Sequence, residues 1–299
     1  MTVIMPSSIP LKSLTLTSPA KLNLFLHING RLDNGYHELQ SLFHFLDKGD
    51  ELTFQLTDNG KVTLDCNLPE LISEQNLIIK AVNALTPFLT VEHKHYGVSI
   101  NLQKVLPMGG GVGGGSSNAA TTLLALNQLW QLHLPAETLE SIGKDLGADV
   151  PIFIRGKSSI AEGVGEKLFD YPIEEKWYLV LTPDAHVNTA LLFNSDELPR
   201  NTTKIDLSEL NYTGLSPNHK NDFETLVYKN YPAVAKALDW LLEYAPARLT
   251  GTGACVFSVF ENQQEAETIF TMLPADLSGF IAKGCNISIT HQQLREQLN

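Results

Sequence analysis

The stretch Leu106-Pro107-Met108-Gly109-Gly110-Gly111-Val112-Gly113-Gly114-Gly115-Ser116-Ser117-Asn118-Ala119-Ala120 puts six glycines into seven positions, directly between an alternating segment and an apolar helical one. Glycine lets backbone approach a ligand closely, and the free N–H groups and dipole at a helix start favour phosphate. An anion site is the leading reading. A turn with no ligand is the alternative, but six glycines surrender too much backbone freedom on folding for a mere connector. Gly109-x-Gly111-x-x-Gly114 matches the dinucleotide fingerprint by letter only. The loop lies deep in the chain, Pro107 ends the strand before it, and a second helix follows where a strand with an acidic end should be. Gly156-Lys157-Ser158 echoes a Walker loop, yet Pro151 stands where that spacing requires glycine.

Upstream of the loop, LTLTSPAKLNLFLHI from Leu14 alternates apolar and polar residues around Pro19, so it reads as two strands or one kinked strand. Lys21 and Asn23 share one face of it. Asn34-Gly35 marks a turn, and Leu39, Leu42, Phe43 and Leu46 then fit a helix or a bent strand. ELTFQL and KVTLDC read as a hairpin around Asp58-Asn59-Gly60. Ser73 to Leu89 reads as a helix, and GVSINLQKVLP as a strand ending at Pro107. Downstream come helices from Ser116 to Trp130 and from Pro135 to Gly147, then a strand at PIFIR. Past Tyr171 the pattern is strand WYLVLTP, a polar linker from Asp196 to Asn221, a helix from Pro232 to Tyr244, strand ACVFSVF, helix EAETIFTML and strand GFIAKGCNISI. This order predicts an α+β fold with a mostly antiparallel sheet.

At roughly 150 residues per domain, the 299-residue chain predicts two domains. The expected boundary puts 1–170 in an N-terminal domain, with 1–13 as a tail, and 171–299 in a C-terminal one. A net charge of −12 leaves no basic face to track a phosphodiester backbone, which disfavours a nucleic-acid partner. No apolar run approaches a membrane span, and the N-terminus, with Pro6 and Pro10, lacks the core of a signal peptide. Cys66, Cys255 and Cys285 show no paired spacing and read as reduced packing thiols, so a cytoplasmic location is expected. His93-Lys94-His95 lacks a third ligand and reads as solvated surface.

The glycine loop resembles the phosphate loop of the galactokinase, homoserine kinase, mevalonate kinase and phosphomevalonate kinase (GHMP) superfamily. Pro19-Ala20-Lys21-Leu22-Asn23-Leu24 looks like its first motif, and Leu249-Thr250-Gly251-Thr252-Gly253-Ala254-Cys255-Val256-Phe257 like its third. Four further stretches, 33–43, 146–153, 161–166 and 282–286, resemble the members that phosphorylate a cytidine diphosphate-linked small molecule in non-mevalonate isoprenoid synthesis. The resemblance runs from about Ser18 to His291. It implies a two-domain GHMP-kinase-like fold: an N-terminal ATP-binding domain with a mixed sheet and helices, and a C-terminal antiparallel-sheet/helix sandwich on the substrate side.

By this resemblance Asp149, set between a helix end and the start of an apolar segment, is the catalytic base, and Lys21 pairs with it and orients the hydroxyl. A buried structural ion pair is the alternative for the two. The resemblance makes Tyr36 and His37 cytosine readers, with Phe193 closing the other face of the base and Asn23 and Thr189 bonding the ligand. Phe43 and Val164 line the acceptor pocket or simply pack. Residues Pro107 to Ser117 wrap the phosphates of ATP, and Asn76 and Lys104 lie near adenine, although Lys104 also reads as an exposed strand lysine. Thr250 keeps the hydroxyl of a position often held by serine. Mg²⁺ is expected with ATP, but its ligands are not marked by any carboxylate cluster, and neither is the oligomeric state. Another GHMP small-molecule kinase, or a non-catalytic nucleotide-binding protein on the same fold, are the competing readings.

Overall fold

The computed structural model describes residues 11–298 except 209, 211, 213, 216 and 217. Most of the expected N-terminal tail thus lies outside the described residues. Leu14 to Ile28 form one strand, β1 (Ser13–Arg31), paired antiparallel with β2 (His37–Thr57) and kinked where the register shifts between Pro19 and Lys21. The segment around Leu39 to Leu46 therefore takes the bent-strand alternative. The hairpin between ELTFQL and KVTLDC does not form. The Asp58-Asn59-Gly60 turn is present, with Lys61 N–H donating to Asn59 Oδ1 at 3.0 Å. However, β3 (Val62–Cys66) pairs in parallel with β4 (Gly97–Gln103), and β4 takes the place beside β2. Val98, Ile100 and Leu102 of β4 are buried, whereas β3 is largely exposed, so the more apolar strand goes inside and the polar one becomes the edge.

Helix α1 (Leu77–Leu85) starts at Asn76, whose side chain accepts from Ile78 N–H. Helix α2 (Gly114–Leu129) follows the glycine loop and is buried along almost its whole circumference, which explains its apolar composition. After α3 (Ala136–Leu146) the chain forms α4 (Val150–Arg155), a helix where a strand was expected. A short, wholly buried apolar run carries no period that separates the two. Pro151 suits a first helical turn, and Gly156, at φ +67°, caps the end. Strands β5 (Ser159–Glu162) and β6 (Lys167–Asp170) form a hairpin beside β2.

The second half contains β7 (Trp177–Leu181), α5 (Thr189–Asn194), α6 (Glu224–Asn230), α7 (Pro232–Leu242), β8 (Ala247–Leu249), β9 (Val256–Phe260), α8 (Gln263–Phe270), β10 (Gly279–Cys285) and α9 (Ile289–Leu298). Its strands are antiparallel, and β10 pairs with β7 along its length and with β2 at Gly284 and Cys285, joining the halves in one mixed sheet. One buried cluster lies in the first half except for Leu294 of α9, a second is drawn mainly from the other, and a third, including Leu22, Val112, Tyr178 and Phe257, draws on both. Among the described residues no helix is long and apolar enough to cross a membrane, and the three cysteines are free.

The core also holds histidines. His44 is fully buried, its Nδ1 is 2.8 Å from Ser158 Oγ, and burial pushes its pKa down to about 3. His27 is pushed down to about 4, chiefly by burial. Below pH about 6.5 the unfolded chain takes up protons that these rings refuse in the fold. Stability is thus fully present above that pH and is lost as pH falls toward 3. Thermal unfolding should show Tm falling steadily from pH 6.5 to 4.5; a flat Tm over that range would contradict the buried neutral state.

Candidate active site

Lys21 sits on β1 just past the kink, with its backbone N–H bonded to Val112 O at 2.9 Å, so strand and glycine loop are stitched together at this point. Its side chain is almost wholly buried. Nζ donates to Asn23 Oδ1 at 2.6 Å and to Gly111 O at 3.0 Å, and lies 3.2 Å from Asp149 Oδ2. Two of its protons are thus committed to Asn23 and Gly111, and the Asp149 carboxylate is held beside it as an ion pair. Asp149 precedes α4, and its side chain is 35% exposed. No other described residue bonds it, so the carboxylate is held from one side and open to the cleft on the other.

The loop needs its glycines at two points in particular. Gly111 has φ +77°, and a Cβ there would collide with the Thr250 carbonyl oxygen. Gly113, at φ +75°, would drive a Cβ to within 2.8 Å of the Phe153 ring and 3.1 Å of Lys21 Cε. Cys255 N–H donates to Gly110 O at 3.0 Å, tying the loop to the third glycine-rich motif. Its entrance is fixed by Asp50, fully buried on β2, whose Oδ1 accepts from Val105 and Leu106 N–H, both at 2.8 Å. Asp50 Oδ2 meets Lys104 Nζ at 2.6 Å, so Lys104 is a buried ion-pair partner and not the exposed strand lysine of the alternative reading.

These groups line a cleft of about 1670 Å³. Residues 107–111 and 113–116, Asn76, Lys104, Asn23, Tyr36, His37, Thr189 and Phe193 are all among those that line it. Val112 and Ser117 do not: Val112 packs in the shared core, and Ser117 Oγ accepts from Ser18 Oγ at 2.8 Å in the interior. Phe43 and Val164 both line it, and Phe43 also places its ring 5.2 Å from Lys21 Nζ. Thr250 lies behind, its hydroxyl accepting from Asn23 N–H at 2.9 Å. His93 stacks on Tyr96 at 4.6 Å, with His95 edge-on to the same ring.

At the far end, the Asn34-Gly35 turn closes with Leu32 N–H on Tyr36 O at 2.8 Å and leaves the Tyr36 ring 65% exposed. His37 begins β2 and faces Phe193, ring centroids 5.0 Å apart. Phe193 is braced edge-on by Phe223 at 4.9 Å. Thr189 Oγ1 is 2.7 Å from Thr252 Oγ1, which joins α5 to the third motif. Burial, then the Arg200 and Arg31 guanidiniums, hold the His37 pKa below its ordinary value. Sequence reasoning missed Arg200, Asp50 and Thr252. Arg200 lies in an irregular polar segment and Asp50 in an ordinary strand, so neither carried a spacing signal. Thr252 alone was within reach, as a hydroxyl inside a recognised glycine motif.

The description "GHMP kinases N terminal domain" matches residues 76–157, and "GHMP kinases C terminal" matches residues 207–279. A 4-diphosphocytidyl-2-C-methyl-D-erythritol kinase of Shewanella woodyi is 54% identical over 92% of this chain and 95% of its own length. One of Haemophilus influenzae is 50% identical over 95% of this chain and 88% of its own. A crystal structure of a 4-(cytidine 5'-diphospho)-2C-methyl-D-erythritol kinase superposes with a TM-score of 0.77 at 28% identity, covering 91% of this chain and 99% of that one. A homoserine kinase from Cytophaga hutchinsonii, at 18% identity and a TM-score of 0.63, shares the fold. With its glycine loop, its Lys21–Asp149 pair and relatives matching nearly end to end, the chain belongs to the GHMP kinases and, among them, to the 4-diphosphocytidyl-2-C-methyl-D-erythritol kinase family.

Proposed function

We propose that this kinase transfers the γ-phosphoryl group of ATP to the 2-hydroxyl of 4-diphosphocytidyl-2-C-methyl-D-erythritol, a step of the non-mevalonate isoprenoid precursor pathway. The observation that carries this reading is the Lys21–Asp149 pair, 3.2 Å apart, at the junction of the glycine loop and the Tyr36, His37 and Phe193 pocket. A single small-ligand pocket occupies roughly 300–1,000 Å³, whereas this cleft has about 1670 Å³. It has room for a nucleotide and a nucleotide-linked acceptor together.

In this reading Asp149 accepts the hydroxyl proton through the oxygen that Lys21 leaves free. The alkoxide oxygen forms its bond to the γ-phosphorus as the bond to the bridging oxygen breaks, and ADP departs with the electron pair. Lys21 donates to Asn23 and Gly111 and pairs with Asp149, so its work is to orient Asp149 and Asn23 and to hold positive charge beside the loop. Loop amides and the start of α2 receive the phosphates. Among the described residues no group of three His, Cys, Asp or Glu side chains could hold a metal. The Ser116 hydroxyl, which lines the cleft at the start of α2, would serve as one donor to a Mg²⁺ that arrives on the ATP phosphates and keeps much of its water. Such an ion neutralises charge on the transferring group. Tyr36 and Phe193 offer aromatic faces for cytosine, and His37, Asn23 and Thr189 offer polar contacts.

We further take 1–170, with 1–13 as a tail, as the N-terminal ATP-binding domain, which also lends Asn23, Tyr36 and His37 to the acceptor pocket, and 171–299 as the C-terminal substrate-side domain, apart from α9, which packs on β1. The free cysteines and the acidic charge support a cytoplasmic enzyme with no nucleic-acid partner. ADP release with Mg-ATP tests the assignment. Turnover is expected with the cytidyl acceptor and none with mevalonate or homoserine; turnover with either of those instead would overturn the assignment of the base pocket.

A further inference from the structure

Arg200 lies outside every motif, yet it ties together the two sides of the base pocket. Its Nη2 donates to the carbonyl oxygens of Phe193 at 3.0 Å and Ser195 at 2.7 Å, and Nη1 to Leu198 O at 3.3 Å. With the plane fixed in this way, Nε points at His37 Nε2, 3.0 Å away. A guanidinium has donors and no acceptor, so His37 Nε2 must be the acceptor. A neutral imidazole that accepts at Nε2 carries its proton on Nδ1. Nδ1 bonds no described residue and is not sealed from the cleft that His37 lines.

We propose that Arg200 is a specificity-determining positioning residue: by bonding His37 Nε2 it fixes the Nδ1–H tautomer and presents a donor to the acceptor edge of cytosine. The proposal rests on the assignment of this pocket to a cytidyl group. Cytosine shows two neighbouring acceptors, N3 and O2, whereas uracil carries a hydrogen on N3. A donor at Nδ1 aimed at N3 therefore complements cytosine and opposes uracil, whereas O2, an acceptor in both bases, does not discriminate. The opposite tautomer would accept at Nδ1 and reverse that preference. Protonation would abolish the acceptor at Nε2, and the two charged groups acting on His37, Arg200 and Arg31, both oppose it.

The test has two independent readouts. In ¹⁵N NMR of the free protein, His37 should show a protonated Nδ1 and an accepting Nε2; Arg200→Met should give a tautomer mixture, and Arg200→Lys, which keeps a donor, should restore much of the wild-type pattern. In kinetics with the cytidyl acceptor and its uridyl analogue, Arg200→Met should lower the cytidyl-to-uridyl ratio of kcat/KM about tenfold or more. The loss should fall on the KM for the cytidyl acceptor, with the KM for ATP unchanged and partial rescue in Arg200→Lys. A merely structural clamp would raise KM for both acceptors alike, and that result would overturn the proposal. So would a wild-type spectrum with the proton on Nε2, even if no variant folds. If neither acceptor is phosphorylated by the wild type, the pocket assignment fails, while the spectrum still decides the tautomer.

Discussion

Asp149→Asn is expected to lower kcat by about three orders of magnitude, with ATP binding and Tm close to wild type. The expectation follows from how the carboxylate is held. Its only partner among the described residues is Lys21 Nζ at 3.2 Å, a contact that an asparagine carbonyl can also make. The substitution therefore keeps the shape and the local bonding and removes only the capacity to take up a proton. Its side chain is about a third exposed, so the buried core loses little. Steady-state kinetics with ATP and the cytidyl acceptor, alongside nucleotide binding, give the answer. A kcat within tenfold of wild type would mean that Asp149 is no base and that solvent takes the proton.

Lys21→Met should be nearly as damaging to turnover, by about two to three orders of magnitude, and should also lower Tm. The ammonium is buried and bonds Asn23 Oδ1 and Gly111 O, so its removal leaves both acceptors without that donor in a dry environment, each worth about 1–3 kcal/mol. Its pairing with the more exposed Asp149 adds less, because water screens that contact. Arginine is not a rescue: Lys21 is packed so closely on the loop that a Cβ at Gly113 would meet its Cε at 3.1 Å, and a longer planar fork does not reproduce the point contacts of an ammonium. Activity and Tm both near wild type in Lys21→Met would contradict the central place given to this residue.

The glycine loop and the shared strand face of Lys21 and Asn23 were legible in the sequence because each leaves a local signal, whereas the pairing of Lys21 with Asp149 was implied only by the family resemblance. Six glycines before a helix have few uses, and the alternation that put Lys21 and Asn23 on one strand face is confirmed by the bond between them. The strand order was less legible. The Asp58-Asn59-Gly60 turn is chemically sound, but what pairs with β2 is settled by competition between β3 and β4 for burial, and that is a tertiary matter. PIFIR failed for a related reason, since full burial erases the periodicity that distinguishes helix from strand. Arg200 and Asp50 were invisible because their partners, His37 and the loop entrance, are distant in sequence. A long-range contact between single residues leaves no spacing pattern to read.

The central claim is that the cleft directs one phosphoryl group to one hydroxyl, and ³¹P NMR of the purified product tests it most directly. The 2-carbon of the acceptor bears a methyl group and no hydrogen, so a phosphate on that oxygen shows no three-bond coupling to a carbon-bound proton. The account predicts a new, uncoupled phosphomonoester signal that grows with ADP and is lost in Asp149→Asn. A signal split by carbinol protons, placing the phosphate on another hydroxyl, or ADP formation with no new phosphomonoester, would contradict it.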